Sequence, residues 1–472
     1  MLVAIPARPC LSALAFGALA FLLFPPSTTP AVESAPKPRL APATLDDAII
    51  SEVKSSRSDI MKNLEYISDV IGGRLTGSKN LEKANNWTKK KMEEYGLENV
   101  RLEPWEIPIG WERGRATMKL VEPNNGRELL IASAGWTPGT NGKVTGPVVI
   151  VNVQTKDELA KFKGKLKNAI VLTRPPSAVA PVTDLRYLSP GGPPRKGPEG
   201  KSELKKVEPQ NLELKKDSSG GEQPISFTQP RGRFGLDITE FAKAEGVACI
   251  CTDAAKPHGL LVTTGGWPAD RAAAEQRVTR VFMAHEHYAL LYRLAGRENA
   301  QVKVEVEISN KFIPGPITVY NTVGEVRGSE KPDEIVIVGA HLDSWDLASG
   351  TTDNGTGSCV VLETARVIAE LAKEGQRPKR TIRFCLFTGE EQGLHGSRQY
   401  VARHKDEMPR HSVALVHDTG TGKVLGFGVL GRETCKKILD PELVSLKKVE
   451  GCEGLTLGGL RGGTDHWSYH QA

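Results

Sequence analysis

The chain has 472 residues, with 62 basic and 56 acidic side chains and a formal net charge of +6. At roughly 150 residues per domain, this length predicts two or three domains, and 39% hydrophobic with 25% charged residues excludes wholesale disorder. The small positive excess does not favour a nucleic acid partner, and the seven cysteines, with no Cys-x-x-Cys pair, argue against a zinc ribbon or a dense disulfide scaffold.

The N-terminus has the pattern of an export signal. Arg8 precedes a run of apolar and small residues at 11–24, two prolines end the run, and small residues at 29–31 offer a cleavage site. We therefore predict a signal peptide over residues 1–31 and a secreted or periplasmic chain. A single N-terminal anchor is the alternative, although the run is short for a membrane span. We expect no membrane contact beyond this segment.

Two helices are predicted before the first strands. Residues 32–43 are rich in proline and alanine and predict a linker. Apolar residues at helical spacing then predict a helix over 45–71. A second helix is predicted over 80–95, because Gly96 is a common C-terminal stop.

The middle of the chain predicts many short strands. Residues 148–151, 169–172 and 247–251 are apolar and strand-like, whereas 188–233 is rich in Gly, Pro, Lys and Glu and predicts a solvated loop. Residues 302–308 alternate apolar and charged side chains, the pattern of a half-buried strand.

The last third alternates strands with helices. Strands are predicted at 335–338, 382–387 and 413–416, and an apolar stripe at 361, 365, 368 and 372 predicts a helix between the first two. This order predicts an α/β fold with a mostly parallel sheet that is covered by helices on both faces. Cys359 and Cys385 lie in apolar segments and are expected to be buried thiols.

Polar residues follow each of these strands. His341 and Asp343 follow the first, Glu390 and Glu391 the second, and Asp418 the third. In open α/β sheets, ligands bind at the carboxyl ends of the strands. A histidine and carboxylates there can bind a metal ion, while a neighbouring glutamate takes a proton from water.

Two further residues have alternative interpretations. Asp353 stands just before a helix, where an ordinary helix cap is the more natural interpretation of this residue taken alone, and a metal ligand is the alternative. His466 lies in a glycine-rich loop, and His470 competes with it as a ligand. Together, the histidines and carboxylates form a nitrogen and oxygen set that suits zinc or a similar divalent ion, and two ions bridged by one carboxylate would use such a set.

Four segments resemble those of a known family. They are GRLTGS at 73–78, GAHLDSWD at 339–346, TDNG at 352–355 and FTGEEQG at 387–393. They resemble the M28 family of zinc exopeptidases, and within it the plasma glutamate carboxypeptidase (carboxypeptidase Q) branch.

The resemblance implies a role for each site residue. Asp353 matches the bridging carboxylate of a site for two Zn²⁺ ions, or similar divalent cations, and a cis peptide bond is expected after it. His341 and Asp418 match the ligands of one ion, and Glu391 and His466 those of the other. Glu390 matches the general base and acid, and Asp343 the carboxylate that supports His341. The family's Ser/Thr-Asp-His triplet favours His466 over His470.

The resemblance also implies a domain organisation. After the signal peptide, residues 32–127 would form the N-terminal part of the peptidase domain, and 128–300 an inserted, strand-rich, protease-associated-like domain. Residues 301–472 would form the main part of the peptidase domain. Since the family continues with another strand and helix after the triplet, the domain is expected to be truncated at its C-terminal end.

The function implied is hydrolysis of dipeptides or short peptides by an exported enzyme, with a homodimer as an expected assembly. An aminopeptidase acting on longer peptides is an alternative, because the metal site does not decide which end of a peptide is read. A non-catalytic binding protein on the same scaffold would have lost ligands or the base, and here all are present. A glutaminyl cyclase would share the fold, but the expected insert argues against it.

Overall fold

The structure is a computed structural model, and it describes residues 44–123, 126–179, 238–418, 420–422, 427–441, 443–444, 455–456 and 463–472. The predicted signal peptide, the linker and the loop at 188–233 lie outside the described residues. Among the described helices, none combines the length and the apolar character needed to cross a membrane.

The described helices are distributed along the whole chain. In order they are α1 Leu45–Val53, α2 Ile60–Glu65, α3 Lys79–Tyr95, α4 Lys156–Ala160, α5 Thr239–Ala244, α6 Arg271–Glu275, α7 His285–Ala295, α8 Thr356–Lys373, α9 His395–Arg403, α10 Glu433–Leu439 and α11 His466–His470. A wider π turn, Tyr66–Ile71, continues α2, and a 3₁₀ helix, Lys405–Arg410, follows α9.

The described strands fall into two large sheets and two small pairs. In order they are β1 Glu98–Ile107, β2 Gly110–Glu112, β3 Ala116–Glu122, β4 Arg127–Glu128, β5 Ile131–Ser133, β6 Val144–Ile150, β7 Ile170–Leu172, β8 Cys249–Asp253, β9 Arg280–Met283, β10 Lys303–Ile308, β11 Lys311–Ile313, β12 Ile317–Val326, β13 Lys331–His341, β14 Arg380–Phe387, β15 His411–Val416, β16 Phe427–Gly428 and β17 Leu455–Thr456.

The first sheet has the strand order β1-β12-β14-β13-β15. Strands β14, β13 and β15 run parallel to one another, whereas β1 and β12 join the sheet by antiparallel pairing. The described sheet is therefore mixed, and the expectation of a mostly parallel sheet is not confirmed. The parallel half contains the three strands whose exits carry the predicted site residues.

Helices cover both faces of this sheet, as predicted. Because successive side chains of a strand point to opposite faces, Phe384 and Leu386 pack under α3 and α8, whereas Cys385 and Phe387 pack against Tyr400 of α9 on the other side. Cys359 and Cys385 are both buried free thiols, which confirms their prediction. Helices therefore pack against the parallel strands on both faces of the sheet and fix their positions.

The second sheet has eight strands in the order β4-β3-β10-β6-β7-β8-β9-β5. It uses the strands predicted near 148, 170 and 250, and it also takes in β3, which begins at Ala116, and β10, which ends at Ile308. Its strands therefore extend beyond the predicted limits of 128 and 300. That this part is an inserted domain stays a prediction.

One predicted helix is interrupted. Residues 45–71 form α1 and α2 instead of one helix, separated by turns at 54–59. The Ser55 hydroxyl accepts the N–H of Arg57, and the backbone N–H of Ser58 donates to the carbonyl of Ser55. Serine side chains that bond to the nearby backbone compete with helical pairing. In contrast, α3 ends at Gly96 in the left-handed conformation, as predicted.

Glu103 of β1 is a buried carboxylate with two basic partners. It accepts hydrogen bonds from Arg101 at 2.7 Å, and its carboxylate lies 3.0 Å from Nε2 of His404. Burial raises the pKa of Glu103, but the hydrogen bond to His404 and the charges of His404 and Arg101 lower it below its ordinary value. The ionised form therefore stabilises the fold.

We predict that Glu103→Gln lowers the free energy of unfolding by about 1–3 kcal/mol at pH 7, because charged hydrogen bonds are lost in a buried place. The stabilisation is present above the unfolded pKa of about 4.3 and is lost as the pH falls through the lower folded pKa. Urea unfolding at pH 7 and at pH 3 is the measurement, and the difference from the parent should shrink at pH 3.

The matched control is Glu128→Gln, because Glu128 pairs with Lys119 at 3.1 Å but its side chain is 69% exposed. Exposed pairs contribute less than about 1 kcal/mol. Equal losses in both variants would contradict the interpretation of Glu103.

Candidate metal centre

Three strand exits meet at one edge of the first sheet. His341 is the last residue of β13, Glu390 follows β14, and Asp418 follows β15. Parallel neighbours end at the same edge, so these side chains converge although they come from distant parts of the sequence. One ligand atom from each of these three residues lies within 4.8 Å of the others.

His341 is the centre of this group. Its Nε2 lies 3.1 Å from Oδ1 of Asp353, 3.1 Å from Oδ1 of Asp418 and 4.0 Å from Oε2 of Glu390. Its Nδ1 lies 3.0 Å from the carbonyl oxygen of Asp343. Since a carbonyl only accepts, Nδ1 carries a proton and Nε2 faces the carboxylates.

Asp343 is fully buried and fixed by three donors. It accepts the hydroxyl of Thr76 at 3.1 Å and the backbone N–H groups of Glu390 and Glu391 at 3.2 and 3.3 Å. Its predicted role was to support His341. The structure adds that it also fixes the backbone of the two glutamates.

Asp353 reaches the group from a separate turn. The π turn Thr351–Gly355 precedes α8, and the Asp353–Asn354 peptide bond is cis, as predicted. The side chain of Asn354, and not that of Asp353, accepts the N–H of Gly357 in the first turn of α8. Asp353 is therefore available to the site, and its side chain is 66% exposed.

The loop at 342–350 connects the two ligand-bearing segments. Asp346 in this loop accepts two hydrogen bonds from Arg113, at 2.6 and 2.9 Å. The same guanidinium also donates to Ser133 of β5 in the second sheet, at 2.9 Å to its hydroxyl. Gly350 ends the loop at a φ of +62°.

Glu390 and Glu391 lie in a crowded, largely buried part of the site. Burial raises the pKa of Glu390 to about 10, with His341 opposing and Asp465 and Asp418 adding to the rise. Burial likewise raises the pKa of Glu391 to about 8. His341 has its pKa raised well above the ordinary value because its hydrogen bonds to Asp343, Asp353 and Asp418 outweigh its burial.

Asp465 was not predicted as a site residue. It is fully buried, and burial raises its pKa to about 7. Neither of its carboxylate oxygens accepts a hydrogen bond of normal geometry among the described residues, although Ser397 is near enough to lower its pKa. Its position inside the Thr464-Asp465-His466 triplet was the only signal in the sequence.

Only some of the predicted site residues lie close to Nε2 of His341. His341, Asp353, Asp418 and Glu390 come together around Nε2 of His341. Glu391 joins through its backbone contact with Asp343, and His466 begins α11 next to buried Asp465. The pairing of Glu391 with His466 on a second ion stays a prediction. His470 is exposed beside Arg432.

The donor set fits a divalent cation. An imidazole nitrogen and several carboxylate oxygens are the ligands that zinc takes. Asp353, Asp418 and Glu390 each place a carboxylate oxygen within 4.0 Å of Nε2 of His341. A cation there would offset the negative charge of these carboxylates. His341, Asp353 and Asp418 are the residues that would hold it.

Comparison with known proteins supports this interpretation. Residues 321–472 match the model of Peptidase family M28. Carboxypeptidase Q of mouse is 29% identical over 385 residues, 80% of this chain and 68% of its own length. Human carboxypeptidase Q is 29% identical over 392 residues, 82% of this chain and 69% of its own. The predicted resemblance to M28 is confirmed, and these relatives indicate a metallo-exopeptidase.

Solved structures show the same fold. A Peptidase M28 precursor from Shewanella amazonensis superimposes with a TM-score of 0.62 at 22% identity, covering 90% of this chain and 84% of that one. A zinc aminopeptidase from Bacillus subtilis gives 0.56 at 20% identity, covering 87% and 82%. The mixed α/β architecture is thus that of M28 peptidase structures.

The tight approach at Gly350 leads to a prediction. A Cβ there would lie 2.4 Å from Oγ of Ser344 and 2.8 Å from a guanidinium nitrogen of Arg74. We expect Gly350→Ala to lower the free energy of unfolding by about 2–5 kcal/mol, from left-handed strain plus overpacking. Denaturant unfolding measures this loss.

Gly375→Ala is the control, because Gly375 has a φ of +88° but nothing within 4 Å of the added Cβ. Its free energy of unfolding should fall by about 1–2 kcal/mol, the cost of the left-handed backbone strain alone. If the two variants lost the same amount, the close approach at Gly350 would not matter to stability.

Proposed function

We propose that this protein is a zinc exopeptidase that uses two metal ions to hydrolyse dipeptides or short peptides. The observation that carries the proposal is the convergence of Asp353, Asp418 and Glu390 on Nε2 of His341 within 3.1–4.0 Å. An imidazole nitrogen and carboxylate oxygens at these distances form a donor set that a divalent cation can use. The M28 match over residues 321–472 supports the same conclusion.

The two ions would divide the ligands between them. In this proposal, Asp353, His341 and Asp418 would hold one ion, and Asp353, Glu391 and His466 would hold the other. When bound, the ions supply positive charge that polarises a peptide carbonyl and lowers the pKa of water. The similar zinc aminopeptidase from Bacillus subtilis supports zinc as the metal.

Glu390 is the proposed proton carrier. Its carboxylate is 11% exposed and lies 4.0 Å from His341, so it faces the site without being its nearest oxygen. With a bound cation lowering its pKa, Glu390 would take a proton from the attacking water and pass it to the leaving amine. Asp343 orients both Glu390 and His341, because it contacts the backbone of Glu390 and the ring of His341.

We further propose that the protein is exported and acts on peptides outside the cytoplasm. The apolar run at 11–24, with the small residues at 29–31, supports a signal peptide. The similarity to carboxypeptidase Q supports release of amino acids from a free carboxyl end.

We predict that Glu390→Gln lowers kcat on an unblocked dipeptide at least about 100-fold, because general acid and base catalysis contributes that much. Zinc content, measured by atomic absorption on the purified chain, should stay at the parent value. Chelation should abolish activity in the parent, and added zinc should restore it.

Glu374→Gln is the matched control, because Glu374 is exposed at the end of α8. It should retain full activity. Unchanged kcat in Glu390→Gln would contradict the proton role. A folded parent that binds zinc and cleaves nothing would favour a binding protein.

The direction of hydrolysis is a separate prediction. We expect cleavage of a dipeptide and of an N-acetylated short peptide, since a carboxypeptidase reads the free carboxyl end, and no cleavage of a C-amidated one. Release of amino acids is measured by chromatography. Cleavage of the C-amidated peptide alone would favour an aminopeptidase, the activity of the similar Bacillus subtilis protein.

A further inference from the structure

Arg74 is a buried arginine whose guanidinium contacts only backbone carbonyl oxygens among the described residues. It is 0% exposed. Its Nε donates to Leu342 at 2.7 Å, and its terminal nitrogens donate to Ser349 at 3.0 Å and Gly350 at 2.8 Å. Longer or equal contacts reach Ile67 and Gly72, at 3.3 and 3.0 Å. One side chain therefore binds both ends of the loop at 342–350.

The backbone of Arg74 is also hydrogen-bonded to this loop. The N–H of Arg74 donates to the hydroxyl of Ser344 at 3.0 Å, and the N–H of Ser344 donates to the carbonyl of Arg74 at 3.1 Å. A Cβ on Gly73 would lie 2.7 Å from the carbonyl oxygen of Asp346. The close approach explains why a glycine stands there.

The charge of Arg74 needs an explanation. Burial lowers its pKa to about 10, and the charges of Asp343, Glu391 and Asp353 partly oppose this. A buried cation is costly unless it is hydrogen-bonded and compensated. Here carbonyl oxygens satisfy its N–H groups, and the compensating carboxylates are those of the candidate metal centre.

We propose that Arg74, assisted by Thr76, is a positioning residue that sets the distance between the two halves of the metal centre. The loop it spans begins after His341 and ends just before the turn that carries Asp353. Thr76, two residues later in the same segment, fixes Asp343 at 3.1 Å. This inference rests on the proposed metal function and assigns a task to the segment at 73–76.

An arginine is required for this task. Its planar fork donates in several fixed directions at once, whereas a lysine presents one flexible point charge. Arg74→Lys keeps the positive charge near the carboxylates but cannot hold Leu342, Ser349 and Gly350 together. The variant therefore separates positioning from charge.

The test is calorimetric titration of the metal-free full chain with zinc. Residues that orient the metal ligands without binding the metal themselves contribute about 10–100-fold to metal affinity. We expect Arg74→Lys to raise the Kd for zinc by that factor, and Thr76→Val to raise it while Thr76→Ser keeps the parent value. Binding to the metal-free chain is read directly, so the result does not depend on turnover.

Arg366→Lys is the matched control. Arg366 is 5% exposed and also makes several hydrogen bonds, to Glu52 at 2.6 Å and to Glu363 at 2.7 Å. Its partners lie on α1 and α8, outside the loop. Arg366→Lys should lower the melting temperature of the metal-free chain and leave the Kd for zinc unchanged.

The outcomes separate this inference from the proposed function. A parent chain that binds no zinc would overturn both. A parent that binds zinc, with an unchanged Kd in Arg74→Lys, would make Arg74 a structural residue only and overturn the inference alone. If Arg74→Lys does not fold, the Thr76 pair decides, and equal Kd values for Thr76→Val and Thr76→Ser would overturn the inference.

Discussion

Crowding of carboxylates around one buried imidazole is the constraint on which the rest of this structure depends. Two like charges 4 Å apart repel by about 4 kcal/mol at an effective dielectric constant of about 20. Three carboxylates approach Nε2 of His341 to within 4.0 Å, and Asp343 and Asp465 are buried nearby. A fold must supply strong restraints to keep such groups together.

The restraints come from two directions. The parallel strands β14, β13 and β15 fix the starting points of three loops, and helices pack on both faces of these strands. The segment at 73–76 then fixes the loop after β13, through Asp343 and the loop carbonyls. Backbone groups make most of the contacts that fix this loop, and Nε2 of His341 faces the oxygens of Asp353 and Asp418.

Much of the site could be predicted because its signals are local. A polar residue directly after an apolar strand is visible in the sequence, as are the TDNG turn and the paired glutamates. The cis bond at Asp353 and the helices on both faces followed from the resemblance and from strand and helix alternation.

Most of the features that could not be predicted depend on contacts between distant residues. Arg74 was recognised as part of a motif, but its carbonyl partners lie up to 276 positions away. The antiparallel pairing of β1 and β12 and the capture of β10 by the second sheet also join distant segments. The interruption of the first helix has a local cause, the side chain of Ser55, which apolar spacing alone does not reveal.

The link through Arg113 bears on how the protein could be shortened. This guanidinium joins Ser133 of the second sheet to Asp346 in the loop between the ligands. A minimal peptidase made by excising residues 116–308 would keep every proposed ligand, yet it would remove Ser133 and expose Arg113. Through Arg113, the second sheet thus contributes a contact that restrains the loop at 342–350, and the shortened chain would lack it.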